Sequence, residues 1–132
     1  MEKAFSLVKE RFIDVTLDTK VSSHSDLRDR LLSAYCLVVP SFSEVSPNIA
    51  LEALSLGVPV VLTEDCGLRE LLKNVVVWVN PKNPQSIANG IEKLMDAVVY
   101  NEYMAEISKF SYSHSSRQVA EEFLNLFTDK IK

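Results

Sequence analysis

Short runs of consecutive apolar residues alternate along this chain with stretches in which apolar side chains recur every three or four positions. The runs are Cys36–Val39, Val58–Thr63 with Val60-Val61-Leu62 at its centre, and Val75–Val79. Each is continuous rather than alternating, which predicts strands covered on both faces. A weaker, shorter strand is expected over residues 14–17. Helical spacing appears over 3–12 (Phe5, Val8, Phe12), 24–34 (Leu27, Leu31, Ala34), 47–56, 68–73, the stretch after Asn83-Pro84 (Ile87, Ile91, Leu94, Met95), 99–108 and 116–130 (Val119, Phe123, Leu126, Phe127). Residues 110–115 read as a link.

Punctuation supports these boundaries. Ser23 and Asp26 have the spacing of a capping box at the second helix. Pro40 ends the first strong strand. Ser46 suits the N-cap of the third helix, with Pro47 in its first turn and Gly57 as its stop. Asn80-Pro81 predicts a turn, and Asn83-Pro84 repeats the signal of a cap followed by proline.

Strands alternating with helices predict an α/β fold: a Rossmann-like open parallel sheet of about four strands with helices on both faces, forming one domain over residues 1–132. There is no internal repeat and no credible linker. Right-handed crossovers put the strands' C-terminal ends on one edge, where sheets of this class bind ligands. The loops 40–47 and 63–67 are therefore the first places to look.

Composition narrows the partners. The chain has 132 residues, 47% of them hydrophobic, enough for one core. Its formal net charge is -4 and its lysines and arginines are scattered, so nucleic acid is not an expected partner. Cys36 and Cys66 form neither a disulfide framework nor a metal set, and His24 and His114 lie far apart; no metal is expected. The reducing interior of a cell is the expected setting. No stretch has the length and apolarity of a membrane span, and no signal peptide is evident; a peripheral membrane contact stays open. There is no Walker loop and no dinucleotide-binding glycine fingerprint, and Ser41 and Ser43 have no adjacent histidine to activate them.

Candidate chemistry concentrates in Pro40–Gly57. Glu44 falls in the strand-to-helix loop and Glu52 in the following helix, where Asn48, Glu52 and Ser55 share a face. Amides at a helix start receive phosphate oxygens, and a carboxylate accepts the hydroxyls of a ribose or a hexose. Together they suit a sugar nucleotide. Taken alone, the same glutamates also read as solvated surface acids, Asn48 as a helix-start residue without a ligand, and Trp78 as core.

The ordered set Pro40-Ser41, Glu44, Glu52, Gly57-Val58-Pro59-Val60-Val61, Gly67 with Glu70, Val77–Pro81 and Phe110-Ser111-Tyr112 resembles the C-terminal domain of the retaining glycosyltransferases with two facing Rossmann-like domains, the GT-B fold of glycosyl transferases group 1. The resemblance covers residues 14–130. It implies transfer of a sugar from a UDP- or GDP-sugar to an acceptor hydroxyl with retained configuration, and no metal cofactor. It gives Glu44 the transferred sugar's hydroxyls at the reaction centre and Glu52 the nucleotide's ribose. The amides after Ser46, at Asn48 and Ile49, face the diphosphate or sugar, and Thr63 with the Glu64–Gly67 loop borders the nucleoside pocket.

Two departures qualify this. Where the family often has Gly-Phe-Gly after the first glutamate, this chain has Val45-Ser46-Pro47-Asn48, and a proline has no amide to donate. The family's early basic pair and its preceding acceptor-binding domain have no counterpart here. Lys9, Arg11, Lys20, Arg69 and Lys73 read as surface charge. By the same resemblance, two strands between 14–17 and 36–39 are missing. Either 14–17 docks beside 36–39, or the exposed edge pairs with a second copy. The resemblance thus implies a partial domain, truncated at its N-terminal side and not catalytically complete alone. The alternatives are a non-catalytic sugar-nucleotide or assembly module on the same fold, and a Rossmann-like regulatory domain that binds no nucleotide.

Overall fold

The computed structural model describes residues 1–20, 23–113 and 116–131. At its centre is a three-stranded parallel sheet: β1 (Leu37–Val39), β2 (Val60–Thr63) and β3 (Val76–Val79), in the order β1-β2-β3. Leu37 pairs with Val60, and Val60 in turn with Val76. These are the three valine-rich runs. β-branched side chains fit a pleated surface buried on both sides, and every residue of β2 is buried.

Alternate strand residues point to opposite faces, which gives two apolar layers. On one face Leu37, Val39, Val60, Leu62, Val76 and Trp78 meet α3 (Asn48–Ser55), α4 (Arg69–Leu72) and the end of α6 (Ala97–Lys109). On the other, Val38, Val61, Val77 and Val79 meet α1 (Glu2–Arg11) and α5 (Pro84–Met95). α2 (His24–Ser33) leads into β1, and α7 (Ser116–Ile131) ends the chain.

α5 starts where Asn83-Pro84 predicts: the Asn83 side chain accepts a hydrogen bond from the Gln85 amide, 3.0 Å, and Pro84 holds the first turn. Asp96 caps α6, its Oδ1 accepting from the amides of Val98 and Val99. At Gly90, α5 comes close to the sheet. A Cβ there would lie 2.5 Å from Val79 Cγ1 and 3.2 Å from Val61 Cγ1. α1 rests on α5 through the fully buried Ala4 and Val8, and Arg11 pairs with Glu92 at 2.7 Å. Tyr35 stacks on Tyr100, centroids 4.6 Å apart, and donates its hydroxyl to the Leu94 carbonyl.

Three expectations need correction. Residues 14–17 form no strand. Val15 and Leu17 are half-buried while Asp14 and Thr16 are exposed, so the alternation is present without a ladder. Beyond them Asp18 is held by Arg30, whose guanidinium keeps this carboxyl below its ordinary range. Among the described residues β1 therefore has no strand on its outer side. Ser23 does precede α2, but its hydroxyl donates to Asp26 Oδ2 at 2.6 Å and makes no bond to the helix backbone. α3 begins at Asn48, one residue later than expected, with Pro47 in the cap position. A proline ring fixes φ only, and Pro47 has ψ 81°, outside the helical range. Ser46 thus lies outside the cap. In α7, Val119 and Phe123 lie on the exposed surface; the side chains of Leu126 and Phe127, and all of His114, fall outside the described residues.

Two predictions follow from the packing. Gly90→Ala gains helix propensity of about 1 kcal/mol, but its methyl meets two buried valines, and overpacking costs about 1–3 kcal/mol. We expect a net loss of stability in urea unfolding; a variant as stable as the parent contradicts the close approach. Burial pushes the Cys36 thiol up from its ordinary 9.0 to about 11. The folded state keeps the proton that the unfolded state sheds, so stability falls as pH rises from 9.0 to about 11. Cys36→Ala should flatten that part of the stability–pH curve, and an unchanged slope contradicts this assignment.

Candidate functional site

Parallel strands that start together also end together, so the loops after β1 and β2 emerge side by side. The first runs Pro40–Pro47 and the second Glu64–Leu68. They are joined by an isolated parallel bridge between Glu44 and Cys66. The Glu44 amide donates to the Asp65 carbonyl at 2.9 Å, and the Gly67 amide donates to the Glu44 carbonyl at 2.8 Å. Both backbone groups of Glu44 are thus committed. Its side chain is half-buried, and its carboxylate makes no hydrogen bond or ion pair among the described residues.

α3 starts four residues after Glu44. The Asn48 amide turns back to the Ser46 carbonyl at 2.9 Å, and Pro47 has no amide. The next amide, of Ile49, makes no hydrogen bond among the described residues. Glu52 lies one helical turn after Asn48 on the same face. It is half-buried, and its carboxylate also has no partner among the described residues. Its neighbour Ser55 donates to the Glu52 carbonyl oxygen of the backbone, leaving the side chain available.

The structure therefore puts Glu44, Ser46, Asn48 and Ile49 at the start of α3, Glu52 a turn further on, and Gly67 against the Glu44 backbone. Thr63 ends β2. Its side chain is fully buried, and alternation turns it toward the α1 and α5 layer, so it reaches the rim only through its backbone. Its Oγ1 has no hydrogen-bond partner.

Of the cations noted in the sequence, Arg69 follows the second loop directly. Arg69 lies over the Trp78 ring, 5.1 Å from its centroid, and donates to the Glu64 carbonyl, which ties the second loop to β3. Lys73 pairs with Glu70, Arg11 with Glu92, and Lys9 lies over Phe5. Among the described residues no three His, Cys, Asp or Glu side chains are grouped to hold a metal ion, and no helix is long and apolar enough to cross a membrane. A cleft of about 460 Å³ lies elsewhere, beside the outer edge of β3, lined in part by Lys73, Trp78, Asn89, Lys93 and Tyr103. Volume alone does not make it the better candidate, because neither the loops after β1 and β2 nor α3 contributes to its lining.

Pattern reading missed the Asp65 carbonyl, the Cys66 bridge and the Val45 carbonyl that packs against Gly67. These are backbone contacts between loops about twenty residues apart; the lone glycine at 67 was their only trace in the sequence.

The model of the family described as Glycosyl transferases group 1 matches residues 3–112. An uncharacterized glycosyltransferase of Methanocaldococcus jannaschii is 36% identical over 99 residues, covering 72% of this chain and 25% of that protein. The O-antigen chain mannosyltransferase of Salmonella typhimurium is 32% identical over 107 residues, 74% of this chain and 30% of that protein. A putative teichuronic acid biosynthesis glycosyltransferase of Bacillus subtilis is 34% identical over 88 residues, 66% of this chain and 22% of that protein. Among solved structures, sucrose-phosphate synthase from Thermosynechococcus elongatus superposes with a TM-score of 0.62 over 97% of this chain and 34% of its own, at 22% identity. The chain thus spans between about a fifth and a third of the proteins it matches.

The orphaned Thr63 hydroxyl generates a prediction. Thr63→Val removes a buried polar atom without changing the side chain's shape. Replacing an unsatisfied hydroxyl relieves a desolvation cost of about 1 kcal/mol, so stability should hold or rise on chemical denaturation. A loss beyond about 1 kcal/mol would mean that the hydroxyl is satisfied.

Proposed function

The chain belongs to the glycosyl transferases group 1 family, and we propose that within such an enzyme it is the segment that holds the nucleoside diphosphate sugar. One observation carries this reading. Two half-buried carboxylates, Glu44 and Glu52, which have no partner among the described residues, flank a helix start at the C-terminal ends of β1 and β2. Glu52, a turn inside α3, accepts the hydroxyls of the ribose. Glu44, in front of the helix, accepts hydroxyls of the transferred sugar beside the reacting carbon. The Ile49 amide faces the diphosphate, favoured by the positive end of the helix.

The reaction is transfer of the sugar, from a UDP- or GDP-sugar, to an acceptor hydroxyl with retained configuration, in the cytoplasm. As the bond to the diphosphate breaks, negative charge grows on the departing oxygen, and dipoles fixed in advance stabilise it. Glu44 orients the sugar and does not attack it. Acceptor recognition, and cations to neutralise the diphosphate, belong to an adjoining part of the enzyme that faces this rim. The open edge of β1 is where that part's strands, or a second copy's, would continue the sheet.

A second reading, a sugar-nucleotide binder without turnover, is favoured by one observation. With Pro47 lacking an amide and the Asn48 amide turned to Ser46, the start of α3 offers few donors. Titration calorimetry with UDP, GDP and UDP-glucose tests what both readings share. A bidentate carboxylate contributes hydrogen bonds strong enough that Glu52→Ala should weaken nucleotide binding about tenfold or more. Equal binding by parent and variant would remove Glu52 from the site, and transfer or hydrolysis of the sugar would separate the enzyme from the binder.

A further inference from the structure

Past the strand ends the two loops come back together with their register changed. Val39 pairs with Leu62, 23 positions on, whereas Glu44 pairs with Cys66, 22 positions on. The first loop has therefore taken in one more residue than the second, and the pairing resumes only at Glu44. That single bridge holds both backbone groups of Glu44, through the Asp65 carbonyl and the Gly67 amide.

The bridge requires a glycine at 67, for reasons of space rather than of dihedral angle. Among the described residues Gly57 alone has a positive φ, 76°, so Gly67 adopts backbone angles open to other residues. A Cβ on Gly67, however, would lie 2.4 Å from the Val45 carbonyl oxygen and 3.3 Å from the Val45 carbonyl carbon. Backbone cannot rotate out of the way as a flexible side chain does. The first loop would have to retreat by roughly an ångström to reach ordinary contact distance, taking with it the residue next to Val45, which is Glu44.

We propose that Gly67 is a positioning residue for Glu44: by lacking a side chain it lets the second loop lock the Glu44 backbone and so fixes where that carboxylate meets the sugar. Its amide is spent on the Glu44 carbonyl and is not a ligand contact. The inference rests on the donor-binding reading above for the part that concerns the sugar, and on the geometry alone for the part that concerns the lock. Glu44 acts on the transferred sugar and not on the nucleotide, so loosening it affects the two unequally. A shift of this size matters because hydrogen bonds to a carboxylate fall off steeply with misplacement.

The test combines amide hydrogen exchange with binding. In the unmutated chain the Glu44 and Gly67 amides should exchange far more slowly than the Val45 and Ser46 amides, and in Gly67→Ala the Glu44 protection should be lost while that of Val61 persists. Gly67→Ala should weaken UDP-glucose, or GDP-mannose, about tenfold, clearly more than it weakens UDP, or GDP, and Glu44→Ala added to it should cost nothing further. Equal losses for nucleotide and nucleotide sugar, or additive losses from the two substitutions, overturn the proposal, as does an unprotected Glu44 amide. If the unmutated chain binds none of the four compounds, the donor-binding reading fails, and exchange in the parent and Gly67→Ala alone upholds or overturns the lock. If Gly67→Ala does not fold, the parent's exchange pattern decides it.

Discussion

The parallel pairing of β1 with β2 is the constraint on which the rest of this structure depends. Parallel strands need a crossover, and α3 supplies it, so the helix that follows β1 must begin near the end of that strand and finish near the start of β2. That places a helix start, its approach loop and the loop after β2 at one rim. The Glu44–Cys66 bridge extends the same pairing beyond the sheet. A strand pair that serves the core thereby also sets the position of an acidic side chain that no core requirement explains.

The rim has one wall. Arg69, which follows the second loop directly, is held by Trp78 and the Glu64 carbonyl. A diphosphate needs positive charge or many donors around it, and the start of α3 offers little of either. This asymmetry agrees with a segment that spans about a third or less of the proteins it resembles.

Much of this fold was legible in the residues. Runs of valine and leucine marked all three strands, because strands covered on both faces tolerate little else, and Asn83-Pro84 marked the start of α5 because both residues solve the problem of unpaired amides. Other features were legible only in part. Val15 and Leu17 alternate as a strand does, but alternation records which side faces the core and not whether a neighbouring strand exists. Pro47 signalled a helix start without fixing ψ, so α3 opened one residue late. The glutamates stood out by spacing; the bridge that holds one of them did not, because it joins backbone groups distant in sequence. Gly67 was visible as a glycine, but its reason, the approach of the Val45 carbonyl, belongs to three dimensions.

The central claim is that the ligand sits on the rim formed by the loops after β1 and β2. Backbone amide shifts followed by NMR during titration with UDP-glucose or GDP-mannose report on it residue by residue. The account predicts the largest changes within Glu44–Glu52 and Glu64–Leu68, with little at Lys73, Asn89 and Lys93. Changes centred instead on those three residues beside β3, with the two loops undisturbed, would contradict it.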